Sequence, residues 1–569
     1  MRVISRGGSI PLRGTLQSSI RGYERSQLTL ILGVKQANTR IVDRGVVKWY
    51  DTRFGTVWRE FDSLLPDKSF NNYFFLLPLF LTFVHTGSMG VELLRQKAGV
   101  PPQAIEFIPP ASQTSSCDTS QEYQRLHENE QLQRYSVLAW RSMENLTCNE
   151  TGLVADMVNE YGTRSLNTSP TNIAMALLSA ISARELGVIS DQDAHTYLLK
   201  AMKTLGSLEM HEGFFYNWYD STTGEKLAIW PSNDCEVKPF LSTVDNGWLA
   251  AALLVVKEAE PECAELAENL LSQMDFGMFY SEQEGQLYGG YEVDTRNLTP
   301  WRYEILNTEA RIATYVGIAK GDLPPEHYFR LCRAFPSNRN QKQVPVGEML
   351  TYHGSEVFEG HYYDRNGVEV IPSWGGSMFE TLMPTLLVPE EVWGRNSWGI
   401  NHPRYVNAHI EHGNAFHGGY WGFSPCLDPS AGYREFGLPE LGTFCNGYDC
   451  GSRQNHICKE GVITPHAIFL AYRFFPKEAL RQLGYLEERF PQIATEQGFY
   501  DSVNVYSGEV ARSQLSLDQG MSMASLGSTH LREYFGRSVE HILKPLLEEE
   551  SFFPTSKVYA PSSSGFQNP

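Results

Sequence analysis

The chain has 569 residues, of which 42% are hydrophobic and 20% charged, with a formal net charge of −19. A composition this apolar excludes general disorder, and a chain this long calls for two or more domains or one large repetitive barrel. The acidic balance, with no basic run to neutralise successive phosphates, argues against nucleic acid as a partner.

Residues 1–120 read differently from the rest, as short mixed segments that form an N-terminal extension. The apolar run 73–84 (YFFLLPLFLTFV) is shorter than the roughly 20 residues a spanning helix needs, and it contains Pro78. It reads either as a signal or anchor segment, with membrane association through it, or as a buried element of a small subdomain. A Pro- and Ser-rich linker at 101–120 closes the extension. Helix-period segments follow at 173–186, 191–205, 246–259, 264–274, 308–320, 327–334, 377–387, 404–412, 465–474, 477–490, 516–526 and 530–547, separated by long Gly- and aromatic-rich loops. Periodicity by itself supports a mostly helical chain; a dozen helices in hairpins can close into a double ring, six inside and six outside, which buries apolar faces without a sheet. The expected organisation is an N-terminal extension to 120, a helical domain over 121–555 and a flexible tail over 556–569. The loops would gather at one rim and form a cleft, the usual place for a binding site.

Nine cysteines are present, and Cys426, Cys445, Cys450 and Cys458 fall in one Gly-rich stretch. No CxxC or His pair at metal spacing accompanies them, so disulfides are expected ahead of zinc. The absence of a phosphate loop, dinucleotide fingerprint, GxSxG elbow or HExxH motif leaves no cofactor to expect.

From Thr151 onward a series of segments occurs in order: 168–173 (TSPTNI), 216–220 (YNWYD), 241–246 (LSTVDN), 307–311 (NTEAR), 373–380 (SWGGSMFE), 420–424 (YWGFS), 498–501 (GFYD) and 517–520 (LDQG). Over residues 135–530 this set resembles the glycoamylase-like domain family, which includes endo-β-1,2-glucanases and the cyclisation domain of cyclic β-1,2-glucan synthases. The resemblance implies an all-α, (α/α)6 toroid that acts on an oligo- or polysaccharide, a β-glucan, expected as a monomer. It also implies a setting outside the cytoplasm, which the cysteine cluster suits.

Cleaving a glycosidic bond needs an acid to protonate the departing oxygen and a second carboxylate that activates water or attacks carbon. Glu309 stands at the start of an apolar helix, where partial burial would raise its pKa; a helix-end acid paired with Arg311 is the structural alternative. The resemblance makes Glu309 the general acid. Asp518, between apolar neighbours, reads as a helix N-cap or as the general base, and the resemblance implies the second. Asp245 caps a helix or binds substrate. Trp218, Tyr219, Trp374, Trp421 and Tyr500 are candidate sugar platforms, with Asp220 and Asp501 as hydroxyl acceptors. Glu380 serves either the cleft or a buried salt bridge. Glu356, Glu359 and Asp364 read as solvated loop acids, and His412 and His417 as surface residues or as partners that orient a carboxylate.

The cyclisation domains continue the YWGFS segment with a nucleophilic glutamate, whereas Pro425 stands here. A prolyl ring cannot attack an anomeric carbon, so the expectation is inversion with water as nucleophile. The alternatives are a transglycosylase or phosphorylase on the same scaffold, or a glycan-binding envelope protein without turnover.

Overall fold

The computed structural model describes residues 30–33, 39–43, 46–49, 117–335, 341–443 and 461–554. The chain divides into two compact units, Met1–Ser115 and Ser116–Pro569. In the first, the strands Leu30–Gly33, Thr39–Asp43 and Val46–Trp49 form an antiparallel sheet with Thr39–Asp43 in the middle. The run 73–84 and nearly all of the linker lie outside the described residues. Among the described residues, no helix is long and apolar enough to cross a membrane.

The second unit is a double ring of helices. Its helices are α1 (Cys117–Leu146), α2 (Pro170–Glu185), α3 (Asp191–Leu205), α4 (Thr243–Ala259), α5 (Ala264–Gln273), α6 (Arg311–Lys320), α7 (Glu326–Arg330) and α8 (Met378–Leu382). They continue with α9 (Glu390–Trp393), α10 (Trp398–Phe416), α11 (Pro465–Ala471), α12 (Pro476–Arg489) and α13 (Ser516–Glu548). The inner ring comprises α2, α4, α6, α8, α11 and α13, and α13 closes it by packing against both α11 and α2. Composition decides which helix lies inside. In α2 every residue from Pro170 to Ala183 is buried, because small and apolar residues occupy its whole circumference. By contrast α3, α5 and α12 bury only one stripe and turn charged residues outward. Three inner helices begin on a serine cap: Ser169, Ser242 and Ser377 each accept a backbone N–H from the first turn.

Several boundaries differ from expectation for identifiable reasons. Helix α1 was not anticipated, because its polar sequence carries little apolar periodicity. The two segments expected at 516–526 and 530–547 are one helix of 33 residues. Gly527, between the two expected segments, lets α13 approach α2, since a Cβ there would lie 2.3 Å from Ser182 Oγ. The expected helix 377–387 passes after Leu382 into a 3-10 turn, Met383–Leu386, at Pro384, which has no N–H to donate.

Residues read as loop around Glu356 and Glu359 form the longest hairpin, Val346–Tyr352 with Ser355–Tyr363, turned by His353 and Gly354, both at positive φ. Glu359 is therefore no solvated turn acid. It is fully buried, 3.5 Å from Arg333, and burial lifts its carboxyl to about 8. Asp364 is also buried and holds the following turn by accepting from Asn366 and Val368 N–H. His412 and His417 are buried too, and His412 Nδ1 lies 3.2 Å from Glu440.

Candidate active site

The N-terminal turns of the inner helices place acids around one end of the ring: Asp245 on α4, Glu309 just before α6, Glu380 on α8 and Asp518 on α13. Asp245 accepts from Thr171 Oγ1 on α2 at 2.6 Å, and Asp156 accepts from Asn172 Nδ2 of the same helix at 2.8 Å. With the Asn217 amide turned to satisfy both its ends, its nitrogen donates to Asp245 Oδ2 at 3.0 Å. Tyr303 feels the charge of both Glu309 and Asp245, and Asp518 that of Asp156.

At α6 and α8 this end opens into a cavity of about 460 Å³. Its walls are Trp301, Tyr303, Trp374, Phe379 and Phe436 together with Glu309, Glu380, Glu435, Arg302 and Pro425. Trp301 is half exposed and meets Tyr303 edge to face at 5.4 Å. Large rings beside a few convergent polar groups are the usual make-up of a pocket for an amphipathic ligand such as a sugar.

Glu309 is half-buried in the wall and accepts from Thr308 Oγ1 at 2.9 Å. Desolvation raises its pKa and Glu435 adds to the rise, while Thr308 and Arg311 oppose it. A carboxyl placed this way tends to keep its proton, as a general acid must. Glu380 is more deeply set. Its oxygens accept from Ser373 Oγ at 2.7 Å, Gly375 N at 2.9 Å and Ser377 Oγ at 3.0 Å, within a capping box on Ser377. Burial and then the charge of Glu309 raise it to about 7 in spite of those donors.

Asp518 does not line the cavity. It is 1% exposed, next to Asp501, which is equally buried. The two carboxyls interact, and the interaction favours a proton on Asp501. Burial, followed by the charge of Asp518, pushes Asp501 well above the usual carboxylate range; burial lifts Asp518 to about 7. The pair thus holds a proton near neutrality. His466 Nδ1, at the start of α11, is 3.1 Å from Asp518 Oδ2, and Leu427 N donates to Asp501 Oδ2 at 2.6 Å.

The structure therefore gathers Glu309, Trp374 and Glu380 in one cavity and leaves the other anticipated residues outside its walls. Tyr219 is no platform: it is fully buried, its hydroxyl donating to Glu209 O at 2.6 Å. Trp421 is 2% exposed in the core and cannot offer a face to a sugar. Asp220 caps its own turn by accepting from Thr222 N at 2.7 Å, and Tyr500 packs on the core. Trp218 is half-buried and meets Trp230 edge to face at 5.2 Å. Cys426 is a buried free thiol, which removes it from the expected disulfide set; Cys445, Cys450 and Cys458 lie outside the described residues. Among the described residues no group of His, Cys, Asp or Glu is arranged to hold a metal ion. Trp301, Tyr303, Glu435 and Phe436 were missed, because loop residues carry no periodicity to mark which side faces a cavity.

Comparison with known proteins places these features in context. Residues 349–532 match the glycoamylase family model, described as "putative glucoamylase", and residues 134–319 match a model described as a protein of unknown function, DUF3131. The cyclic beta-(1,2)-glucan synthase NdvB of Rhizobium meliloti is 30% identical over 334 residues, which are 54% of this chain and 10% of that protein. Among solved structures, an endo-beta-1,2-glucanase from Talaromyces funiculosus, a glutamate-to-glutamine variant complexed with beta-1,2-glucan, superposes with a TM-score of 0.55 at 15% identity. That match covers 77% of this chain and 92% of the other. The endo-beta-1,2-glucanase of Chitinophaga pinensis, complexed with sophorotriose and glucose, gives 0.53 at 14% identity, covering 74% and 98%. These solved structures share the (α/α)6 toroid. The ordered motifs, the glycoamylase model over residues 349–532 and the shared fold together make this chain similar to the glycoamylase-like domain family.

Proposed function

We propose that this protein is a glycoside hydrolase that cleaves a β-glucan, β-1,2-linked, at internal bonds with inversion of configuration. The observation that carries this reading is Glu309, a carboxyl biased toward its protonated form in the wall of an aromatic-lined cavity. Glu309 donates its proton to the glycosidic oxygen as the bond to the anomeric carbon breaks, and a water oxygen adds to that carbon from the opposite face. Asp518 acts as the base. Because it lies outside the cavity walls, it takes the water's proton through a relay of bound water or a sugar hydroxyl, while Asp501 keeps the proton that the pair already holds. The names of the structural relatives, two of them complexed with β-1,2-linked sugars, support the linkage. The substrate is a polymer, so the protein is proposed to work as a monomer outside the cytoplasm.

The test is the release of reducing ends from linear β-1,2-glucan. Glu309→Gln is expected to lower the rate at least about 10²-fold, the lower end of what general acid catalysis contributes, while oligosaccharide binding persists. Early-time NMR is expected to show α-configured reducing ends. A purified protein that releases none from any β-glucan would refute the hydrolase reading.

One observation favours a second reading, transglycosylation: the relative at 30% identity is named a cyclic glucan synthase. Pro425 lines the cavity and offers no carboxylate for a covalent intermediate, which favours hydrolysis. Cyclic products or retained configuration would decide for transfer.

A further inference from the structure

Three carboxylates line the cavity, and the fold treats them differently. Glu309 sits at the helix start with one hydroxyl partner. Glu380 is immobilised by hydroxyl and backbone N–H donors that occupy both its oxygens. Glu435 follows directly on the hairpin formed by Cys426–Asp428 and Gly432–Arg434.

That hairpin presents Glu435 firmly. On one side Arg434 forms an ion pair with Asp428, and on the other Phe436 is 1% exposed and anchored in a small apolar cluster with Cys426 and Val462. Gly437 then lies so close to the backbone of 375–377 that a Cβ would fall 2.3 Å from Gly375 O, and Leu438 N donates to Gly376 O at 2.8 Å. The segment bearing Glu435 is thus fastened to the loop that leads into α8, and the two sides of the cavity are tied together.

We propose that Glu435 is a catalytic residue of this site: its carboxylate faces the anomeric carbon of a sugar ring held against Glu309 and stabilises the positive charge that develops there. This assignment rests on the glycosidase reading. In the step itself the bond between anomeric carbon and glycosidic oxygen breaks, the departing oxygen takes the Glu309 proton, and water supplies the new oxygen. Glu435 stays ionised and forms no bond. An oxocarbenium-like transition state gains more from a fixed anion than the neutral ground state does, so the effect belongs in kcat. Glu435 also raises the pKa of Glu309 by like charge. Burial raises the pKa of Glu435 as well, although it is the more exposed of the two.

The experiment uses the full chain with linear β-1,2-gluco-oligosaccharides. Glu435→Gln is expected to lower kcat about 10²- to 10³-fold with KM nearly unchanged, the size seen when one preorganised electrostatic group is lost. The basic limb of the pH profile is expected to move to lower pH, because Glu309 loses its like-charged neighbour, and Glu435→Asp should recover part of both effects. A Glu435→Gln enzyme with the wild-type kcat and the wild-type basic limb would overturn the proposal. A second readout does not need turnover: the Glu309 carboxyl, identified by its loss in Glu309→Gln, is titrated by NMR in protein labelled with ¹³C-glutamate. A midpoint lowered by Glu435→Gln supports the placement even if no glucan is hydrolysed, in which case the hydrolase reading alone falls. An unmoved midpoint overturns the placement.

Discussion

Glu309 and Arg311 are separated by one residue yet stand in different surroundings. Glu309 looks into the cavity, and Arg311 looks into the protein, where its Nε and Nη2 donate to Glu390 at 2.7 and 2.8 Å with nothing exposed. Glu390 also accepts from Tyr315 Oη at 2.6 Å and meets His402 Nε2 at 2.9 Å. Burial opposes its charge, but Arg311 outweighs that and holds the carboxyl at about 2. Glu390→Gln leaves Arg311 buried and unpaired, so a loss of about 3–5 kcal/mol is expected in urea unfolding near pH 7. The pH dependence follows from the sign of the shift. A depressed folded-state pKa contributes stability above pH 4.5 that is lost as pH falls through about 2, so the variant should show a flatter stability profile over that window. Glu380 runs the other way. Its carboxyl is raised to about 7, so its contribution is complete below pH 4.5 and is lost as pH rises through 7. The alternative role for Glu309, pairing with Arg311, is removed because Arg311 is already engaged.

At the scale of elements, the inner helices are set by how closely their backbones approach. On α13, a Cβ at Gly520 would fall 2.4 Å from Met175 Cβ, and one at Gly527 would fall 2.3 Å from Ser182 Oγ, both on α2. Gly536, farther along the same helix, has nothing within 4 Å of a built Cβ. Helix propensity alone predicts that alanine stabilises all three positions by up to about 1 kcal/mol. Packing reverses the sign at two of them. Gly520→Ala and Gly527→Ala are expected to cost about 1–3 kcal/mol by overpacking, whereas Gly536→Ala should stabilise by up to about 1 kcal/mol. The midpoints of urea unfolding for the three variants check this. The same close approach explains why two expected helices are one, since a glycine reads identically in sequence whether it ends a helix or seats one against another.

At the scale of the molecule, the division at Ser115 and Ser116 separates two units with their own contacts. Since the inner and outer rings both lie within Ser116–Pro569, a chain beginning at Ser116 is expected to fold cooperatively and to keep its glucan-binding affinity. Calorimetry and oligosaccharide titration would show this, and loss of a cooperative transition would mean that residues before Ser116 are needed. The cavity belongs to this unit as a whole: Glu309, Glu380 and Glu435 come from three segments separated by about seventy and fifty-five residues.

Sequence by itself determined the helical class, most of the inner helices and the position of Glu309 at the start of one of them, because helical periodicity, serine caps and ordered motifs are local and leave their mark within a few residues. It also marked Trp374 and Glu380, which share one motif with the cap that places them. Tertiary structure alone decided which aromatic residues are walls and which are core. Tyr219 and Trp421 carry the same rings as Trp301 and Trp374, but burial depends on neighbours far away in the chain. It likewise shut Asp518 in beside Asp501 and brought Glu435 into one cavity with Glu309. An acid reads the same in sequence whether solvent, a second acid or a sugar will face it, and only the closing of the ring settles what does.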